Sequence, residues 1–136
     1  MQLNPYLVYN DNCEAALKFY EKALGAKIET LLRNEEAPAD MASSPERKKK
    51  VMHASISIDG EMLLASDAPP ELYREPRGFW VCLTFSDMTD AERKFKALSE
   101  GGNVKMPFGK TFFAKGFGMC QDQFGVPWIV NCPLEG

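Results

Sequence analysis

Side chains that could carry out chemistry are few in this sequence, and they lie far apart. There is one histidine, His53, and the four cysteines show no CxxC spacing, so neither a zinc site nor a disulfide framework is indicated. A single histidine would also have to serve any Ser-His-Asp or Cys-His scheme. His53 is therefore interpreted as a hydrogen-bonded polar group on a sheet, as an ordinary surface or core histidine, or as part of an unusual metal site completed by Asp67, Asn131 or a cysteine.

Aromatic residues and glycines are concentrated in the segment KTFFAKGFGMCQDQFGVPWIVNC, from Lys110 to Cys132. Phe112 and Phe113 precede a glycine-rich bend, and such positions often contact ligands. Together with the cation of Lys115 they would suit a planar or anionic small molecule. The alternative is that both rings cover the core or a dimer contact.

The elements that must position these side chains fall into two halves with the same order. Alternating apolar residues predict strands, and apolar residues at helical spacing predict one helix in each half. The first half reads PYLVY, the helix NDNCEAALKFYEKALGA, then KIETLL, VMHASISI and EMLLAS. The second reads FWVCLTF, the helix DMTDAERKFKALSEGG, then NVKMPF, GFGMCQD and VPWIVNC. A repeated β-α-β-β-β order indicates an internal duplication of structure.

The beginnings of both helices can also be predicted. Asn10, Asp11 or Asn12 can accept a backbone N–H at the start of the first helix. The second helix contains a possible capping box from Thr89 to Glu92.

The chain is predicted to form a single domain over residues 1–136. Module one spans residues 1–68, a proline-rich linker spans 69–77, and module two spans 78–136. The stretch RNEEAPADMASSPERKKK is long for a compact domain, so it is expected to be a lid over a site or a mobile loop. Its basic run, Arg47 to Lys50, is interpreted as a solvated surface.

Composition excludes several classes of function. The chain has 136 residues and a formal net charge of -3, which argues against a nucleic-acid partner. It has no apolar segment of about 20 residues that could span a membrane. The N-terminus lacks the pattern of a secretory signal, and the scattered cysteines suit a reducing compartment. A cytoplasmic location is therefore predicted.

Three segments together resemble one family: NPYLVYNDNCEAALKFYEKALGAK, HASISIDGEMLLASDA and TFFAKGFGMCQDQFGVPWIVN. They are similar to the vicinal-oxygen-chelate superfamily of glyoxalases, ring-cleaving dioxygenases and bleomycin- or fosfomycin-resistance proteins, and within it to the PhnB-like group. The resemblance implies an α+β fold in which two βαβββ modules form a concave, partly closed mixed sheet with the helices outside.

The resemblance also implies four metal-ligand positions, on the first and last strands of each module. These positions fall on Pro5, near Leu64, near Trp80 and on Ile129. None offers an imidazole or carboxylate, so no metal and no other cofactor is predicted. Because Ile129 would face the cavity, Asn131 is expected to face it too, whereas Trp128 should point into the core.

Three functional hypotheses follow from these residues and the resemblance. The first is a protein that binds a small molecule without metal, with His53, Phe112, Phe113, Lys115 and Asn131 as ligand-binding residues. The second is a metal-dependent lyase, isomerase or dioxygenase with a relocated metal site. The third is a dimeric interaction module. A homodimer is expected because an apolar concave sheet exposes more hydrophobic area than a monomer usually tolerates.

Overall fold

Residues 1–38 and 44–135 are described by a computed structural model, whose contacts divide the chain into two units, Met1–Arg74 and Glu75–Gly136. Each unit contains one α-helix and a four-stranded mixed sheet, in the order β-α-β-β-β. The two predicted βαβββ modules and the α+β class are therefore confirmed. The division falls inside the segment 69–77 that the sequence marks as a connection.

The first unit places its single helix between the first and second strands. Its elements are β1 (Tyr6–Asn10), α1 (Cys13–Leu24), β2 (Lys27–Arg33), β3 (Val51–Ile58) and β4 (Glu61–Ala68). The sheet order is β1-β4-β3-β2, in which β1 and β4 are parallel and the other pairs antiparallel. Because α1 separates β1 from β2 along the chain, β1 does not pair with β2 and instead forms the edge of the sheet beside β4.

The core of the first unit lies between α1 and one face of the sheet. The buried helix residues recur at helical spacing and include Cys13, Ala16, Leu17, Tyr20 and Leu24. The hydroxyls of Tyr9 on β1 and Tyr20 on α1 form a buried hydrogen bond of 2.9 Å. A fully buried Tyr–Tyr pair is tolerated because each hydroxyl satisfies the other.

The start of α1 differs from the prediction. Asn12 stands at the N-cap, but its side chain makes no capping hydrogen bond. Instead, the backbone N–H of Cys13 donates to Oδ1 of Asp67, at the end of β4, over 2.8 Å. A carboxylate distant in sequence therefore satisfies one of the unpaired backbone donors at the helix start, which a neighbouring side chain usually caps.

The long connection from β2 to β3 contains two 3₁₀ turns, Asn34–Glu36 and Pro45–Arg47. The prediction of a lid or mobile loop for this connection falls partly on residues 39–43, which lie outside the described residues. Arg47 forms an ion pair with Asp11, and its side chain is only 17% exposed. Lys50 Nζ donates to the backbone oxygen of Asp11 over 2.7 Å. The prediction of a solvated basic run is therefore wrong for Arg47, because Asp11 attracts it to the start of α1.

The second unit repeats the arrangement of the first. Its elements are β5 (Val81–Thr84), α2 (Met88–Ser99), β6 (Asn103–Gly109), β7 (Ala114–Gln121) and β8 (Pro127–Pro133). The sheet order is β5-β8-β7-β6, with β5 and β8 parallel. The predicted Thr89 to Glu92 capping box is wrong. Asp87 precedes the helix and accepts the backbone N–H of Asp90.

Trp128 is fully buried in the core of the second unit, as predicted. Its indole N–H donates to Oδ2 of Asp122 over 2.8 Å, and Oδ1 of the same carboxylate accepts backbone N–H groups from Phe124 and Val126. The turn from β7 into β8 is thus built around one buried carboxylate.

Within the described residues, neither α1 nor α2 has the length and apolar character that crossing a membrane requires.

Candidate functional site

Each sheet buries one face against its helix, and the predicted site residues His53, Lys115 and Asn131 lie on the opposite face, called here the far face. In β8 the buried residues Trp128, Val130 and Cys132 alternate with the less buried Ile129 and Asn131. The same alternation occurs in β1, where Leu7 and Tyr9 are buried. Period-two burial of this kind assigns a face to each side chain in a strand.

His53 lies on the far face of the first sheet, next to a tyrosine. The Tyr6 hydroxyl and Nδ1 of His53 are 3.2 Å apart, and the two ring centroids are separated by 5.8 Å. His53 is therefore hydrogen-bonded on a sheet, and the interpretation that it faces the interior of a concave sheet stays a prediction. Tyr6 was not among the predicted site residues, although the alternation in PYLVY places it on the same face as Val8.

A relocated metal site around His53 finds no support among its proposed partners. Oδ1 of Asp67 accepts the backbone N–H of Cys13, and its Oδ2 accepts that of Val51 over 2.9 Å. Both oxygens of this carboxylate are thus used to hold the backbone. Across residues 1–38 and 44–135, no three His, Cys, Asp or Glu side chains are grouped closely enough to hold a metal ion.

The strand register shows which residues lie beside two of the four metal-ligand positions that the family resemblance implies. Leu64 pairs with Tyr6, not Pro5, and Ile129 pairs with Cys82 rather than Trp80. Leu64 and Ile129 have no lone pairs to donate, so at most a phenol and a single thiol remain. This donor set does not fit a divalent metal ion.

Two of the buried cysteines are unsuited to nucleophilic chemistry. Burial, with a smaller contribution from the charge of Asp67, raises the pKa of Cys13 to about 12. Burial likewise raises the pKa of Cys120. Because the thiolate is the reactive form, neither side chain is activated at neutral pH.

Three phenylalanines form a cluster on the second unit, called here the aromatic patch: Phe112, Phe113 and Phe117. The rings of Phe113 and Phe117 meet edge to face with centroids 5.0 Å apart, and Phe112 meets Phe113 at 5.3 Å. Phe112 is 93% exposed and Phe113 is 47% exposed. Phe117 lies on the far face, directly opposite Asn131 in the β7–β8 pair. An amide therefore adjoins the aromatic patch.

Lys115 lies near the aromatic patch but is engaged by another residue. Its Nζ is 2.6 Å from Oε1 of Glu135, and the lysine side chain is one-third exposed. The hydrogen bond from Lys115 lowers the pKa of Glu135, and the same bond raises the pKa of Lys115. Lys115 therefore stays positively charged, with its charge partly neutralised.

The structure thus brings four of the five predicted residues into one region of the second unit, namely Phe112, Phe113, Lys115 and Asn131. His53 belongs to the first unit, so the prediction that it shares a cavity with them stays a prediction. Phe117 was missed. The glycines on either side of it offered a signal, because a lone side chain between two glycines in a strand occupies the face opposite to theirs.

Comparison with known proteins identifies clear relatives. A family model described as Glyoxalase/Bleomycin resistance protein/Dioxygenase superfamily matches residues 2–130. Protein YjdN of Escherichia coli strain K12 is 32% identical, over 96% of this chain and 95% of its own.

Solved structures agree with that match. The crystal structure of protein PA1353 from Pseudomonas aeruginosa is 40% identical, covers 99% of both chains and has a TM-score of 0.88. A PhnB protein from Bacillus cereus is 20% identical, covers 97% of this chain and 99% of its own, and has a TM-score of 0.78. At that identity, the second likeness is one of fold alone.

Proposed function

We propose, from the premise that this chain belongs to the glyoxalase/bleomycin resistance protein/dioxygenase superfamily, that it binds a small organic molecule on the far face of its second sheet without a metal ion. The observation that carries the proposal is the aromatic patch beside Asn131. The ligand is expected to be planar, with a polar or anionic group.

The chemistry of the aromatic patch supports a planar ligand. Phe113 packs edge to face on Phe117 while about half of its own surface remains exposed. A flat apolar ligand can cover that exposed surface and gain an aromatic contact at the same time. Asn131 can both donate and accept a hydrogen bond, which suits a carbonyl, hydroxyl or carboxylate on the ligand.

A metal-dependent lyase, isomerase or dioxygenase is the second hypothesis, and the donor set opposes it. The ligand positions that the family resemblance implies are Pro5, Leu64, Trp80 and Ile129, and the strand partners of Leu64 and Ile129 are Tyr6 and Cys82. None of these side chains offers an imidazole or a carboxylate. The binding proposal requires no such donors.

A cytoplasmic location belongs to the same proposal and is supported by the four free thiols, which suit a reducing compartment.

The test compares ligand binding and folding stability in one variant, Phe113→Ala. A titration with naphthalene-2-carboxylate, followed by NMR at the side-chain amide of Asn131, should show affinity reduced about three- to tenfold, as expected for loss of one aromatic contact. The urea midpoint should stay close to that of the unmodified chain, because a half-exposed ring leaves little cavity behind.

Phe95→Ala provides the matched core control. Phe95 is 5% exposed and packs on Phe108, so its truncation should cost roughly 3–5 kcal/mol. A comparable loss in Phe113→Ala would show that Phe113 is a structural residue. Unchanged affinity in that variant would place the ligand elsewhere and overturn the proposal.

A further inference from the structure

A cavity of 220 Å³ lies at the other end of the second unit, beneath the irregular segment 75–80. We propose that this cavity is a separate binding site for a small planar carboxylate. The position of the cavity, its charge and its aromatic wall set it apart from the aromatic patch.

The strand register separates the cavity from the aromatic patch. Gln121 and Pro127, which line the cavity, pair across β7 and β8. Phe117 and Asn131 pair four residues further along the same two strands. At about 3.4 Å per residue, the two places are roughly 14 Å apart along the sheet. A small ligand cannot occupy both.

The cavity is positively charged although the whole chain is negative. Arg77 and Lys105 line it, and within the described part of the chain neither makes an ion pair. Glu75 is the one carboxylate in the lining, and its Oε1 accepts the Gln121 amide over 2.6 Å. Two positive groups less one negative group leave a formal charge of +1.

The geometry of segment 75–80 explains how these groups come to line one cavity. Gly78 has a φ of +81°, a conformation that reverses the chain at low cost only for glycine. The hydrogen bond between Glu75 and Gln121 fixes the start of the segment to β7. Val81 pairs with Trp128, which fixes its end to β8.

The remaining wall is apolar and aromatic. Trp80 and the half-exposed Phe79 line the cavity together with Pro127. A guanidinium binds a carboxylate through two parallel hydrogen bonds, and an indole face holds a planar ring. An aromatic carboxylate carries both of the groups that these side chains can bind.

Benzoate is the probe for this site, titrated at constant ionic strength while the indole N–H resonance of Trp80 is followed by NMR. A Trp80→Phe variant assigns that resonance against Trp128. Benzoate should shift the Trp80 signal saturably, and the double variant Arg77→Gln/Lys105→Gln should weaken binding at least tenfold. Lys96→Gln removes one exposed charge from α2 and should leave the affinity unchanged.

Two further arms decide between sites and between chemistries. Benzamide, the neutral analogue, should bind at least tenfold more weakly than benzoate. Equal binding of the two, or equal binding by the double variant and the unmodified chain, would overturn the proposal. If Phe113→Ala weakened benzoate binding while the double variant did not, the anion would bind at the aromatic patch. That outcome would overturn this site and leave the proposed function standing.

Discussion

Asp67 and Asp122 show how single carboxylates can be committed to holding the backbone. Asp67 joins the start of α1 to the start of β3, and Asp122 accepts two backbone N–H groups of the turn before β8 and the indole N–H of Trp128 on β8. The Asp67 arrangement is not visible as a local motif, because its partners are 54 and 16 residues away in sequence. The sequence alone therefore leaves Asp67 as a possible metal ligand, whereas in the structure both of its carboxylate oxygens accept backbone N–H groups.

The ion pair between Glu14 and Arg33 should make the stability of the folded chain depend on pH. Arg33 Nη1 and Nη2 donate to its two carboxylate oxygens over 2.8 and 3.0 Å, and these hydrogen bonds lower the pKa of Glu14 from 4.5 to about 2. Since folding lowers this pKa, the interaction stabilises the folded chain fully above about pH 4.5. The contribution is lost as the pH falls through about 2.

The measurement is the free energy of unfolding of Glu14→Gln and of the unmodified chain at pH 6 and pH 3. Because Glu14 is one-third exposed, solvent screening limits the expected difference at pH 6 to roughly 1–2 kcal/mol. That difference should fall by more than half at pH 3. Glu92→Gln on α2 is the control and should change the free energy of unfolding little at pH 6, because Glu92 makes no ion pair within the described residues. A constant difference for Glu14→Gln would contradict the assigned pKa.

At the scale of elements, sequence periodicity predicted both helices and the order of all eight strands, because burial on one face imposes the periods of 3.6 and 2. It could not fix which residues pair across strands. The family landmarks suggested Pro5 and Trp80, whereas the register pairs Tyr6 with Leu64 and Cys82 with Ile129. A register error of one residue exchanges the two faces of a strand, so site residues are more sensitive to it than the fold.

The glycines of β7 give a prediction about packing between an element and its helix. A Cβ atom added at Gly118 would lie 2.7 Å from Cε1 of Phe95 on α2 and 3.0 Å from the Cα of Phe108. Gly118→Ala should therefore lower the free energy of unfolding by roughly 1–3 kcal/mol, the usual cost of overpacking.

Gly109→Ala is the matched control at the end of the neighbouring strand β6. A Cβ atom there would meet no atom within 4 Å, so its urea midpoint should stay the same or rise slightly. If the two variants had equal stability, the close approach of β7 to α2 would not be what requires glycine at position 118.

At the scale of the whole molecule, composition and resemblance were enough to predict the superfamily, and the match over residues 2–130 confirms it. The cavity under segment 75–80 was beyond such reasoning. It depends on Gly78, on a hydrogen bond between residues 46 positions apart and on a lysine from β6, none of which forms a local pattern. Sites assembled from a connection and three separate strands require coordinates.

Assembly is the remaining prediction at this scale. Several large apolar side chains are at least half exposed, among them Leu72, Val104 and Phe112. Exposed apolar residues of this kind are often covered by a second copy of the same chain. Light scattering at micromolar concentration should therefore give a mass near 30.4 kDa, twice the 15.2 kDa of one chain. The same mass is expected for Phe112→Glu, because the aromatic patch is proposed to bind a ligand. If the mass fell to 15.2 kDa in Phe112→Glu alone, the aromatic patch would be part of the dimer contact. A mass of 15.2 kDa for the unmodified chain would contradict the homodimer.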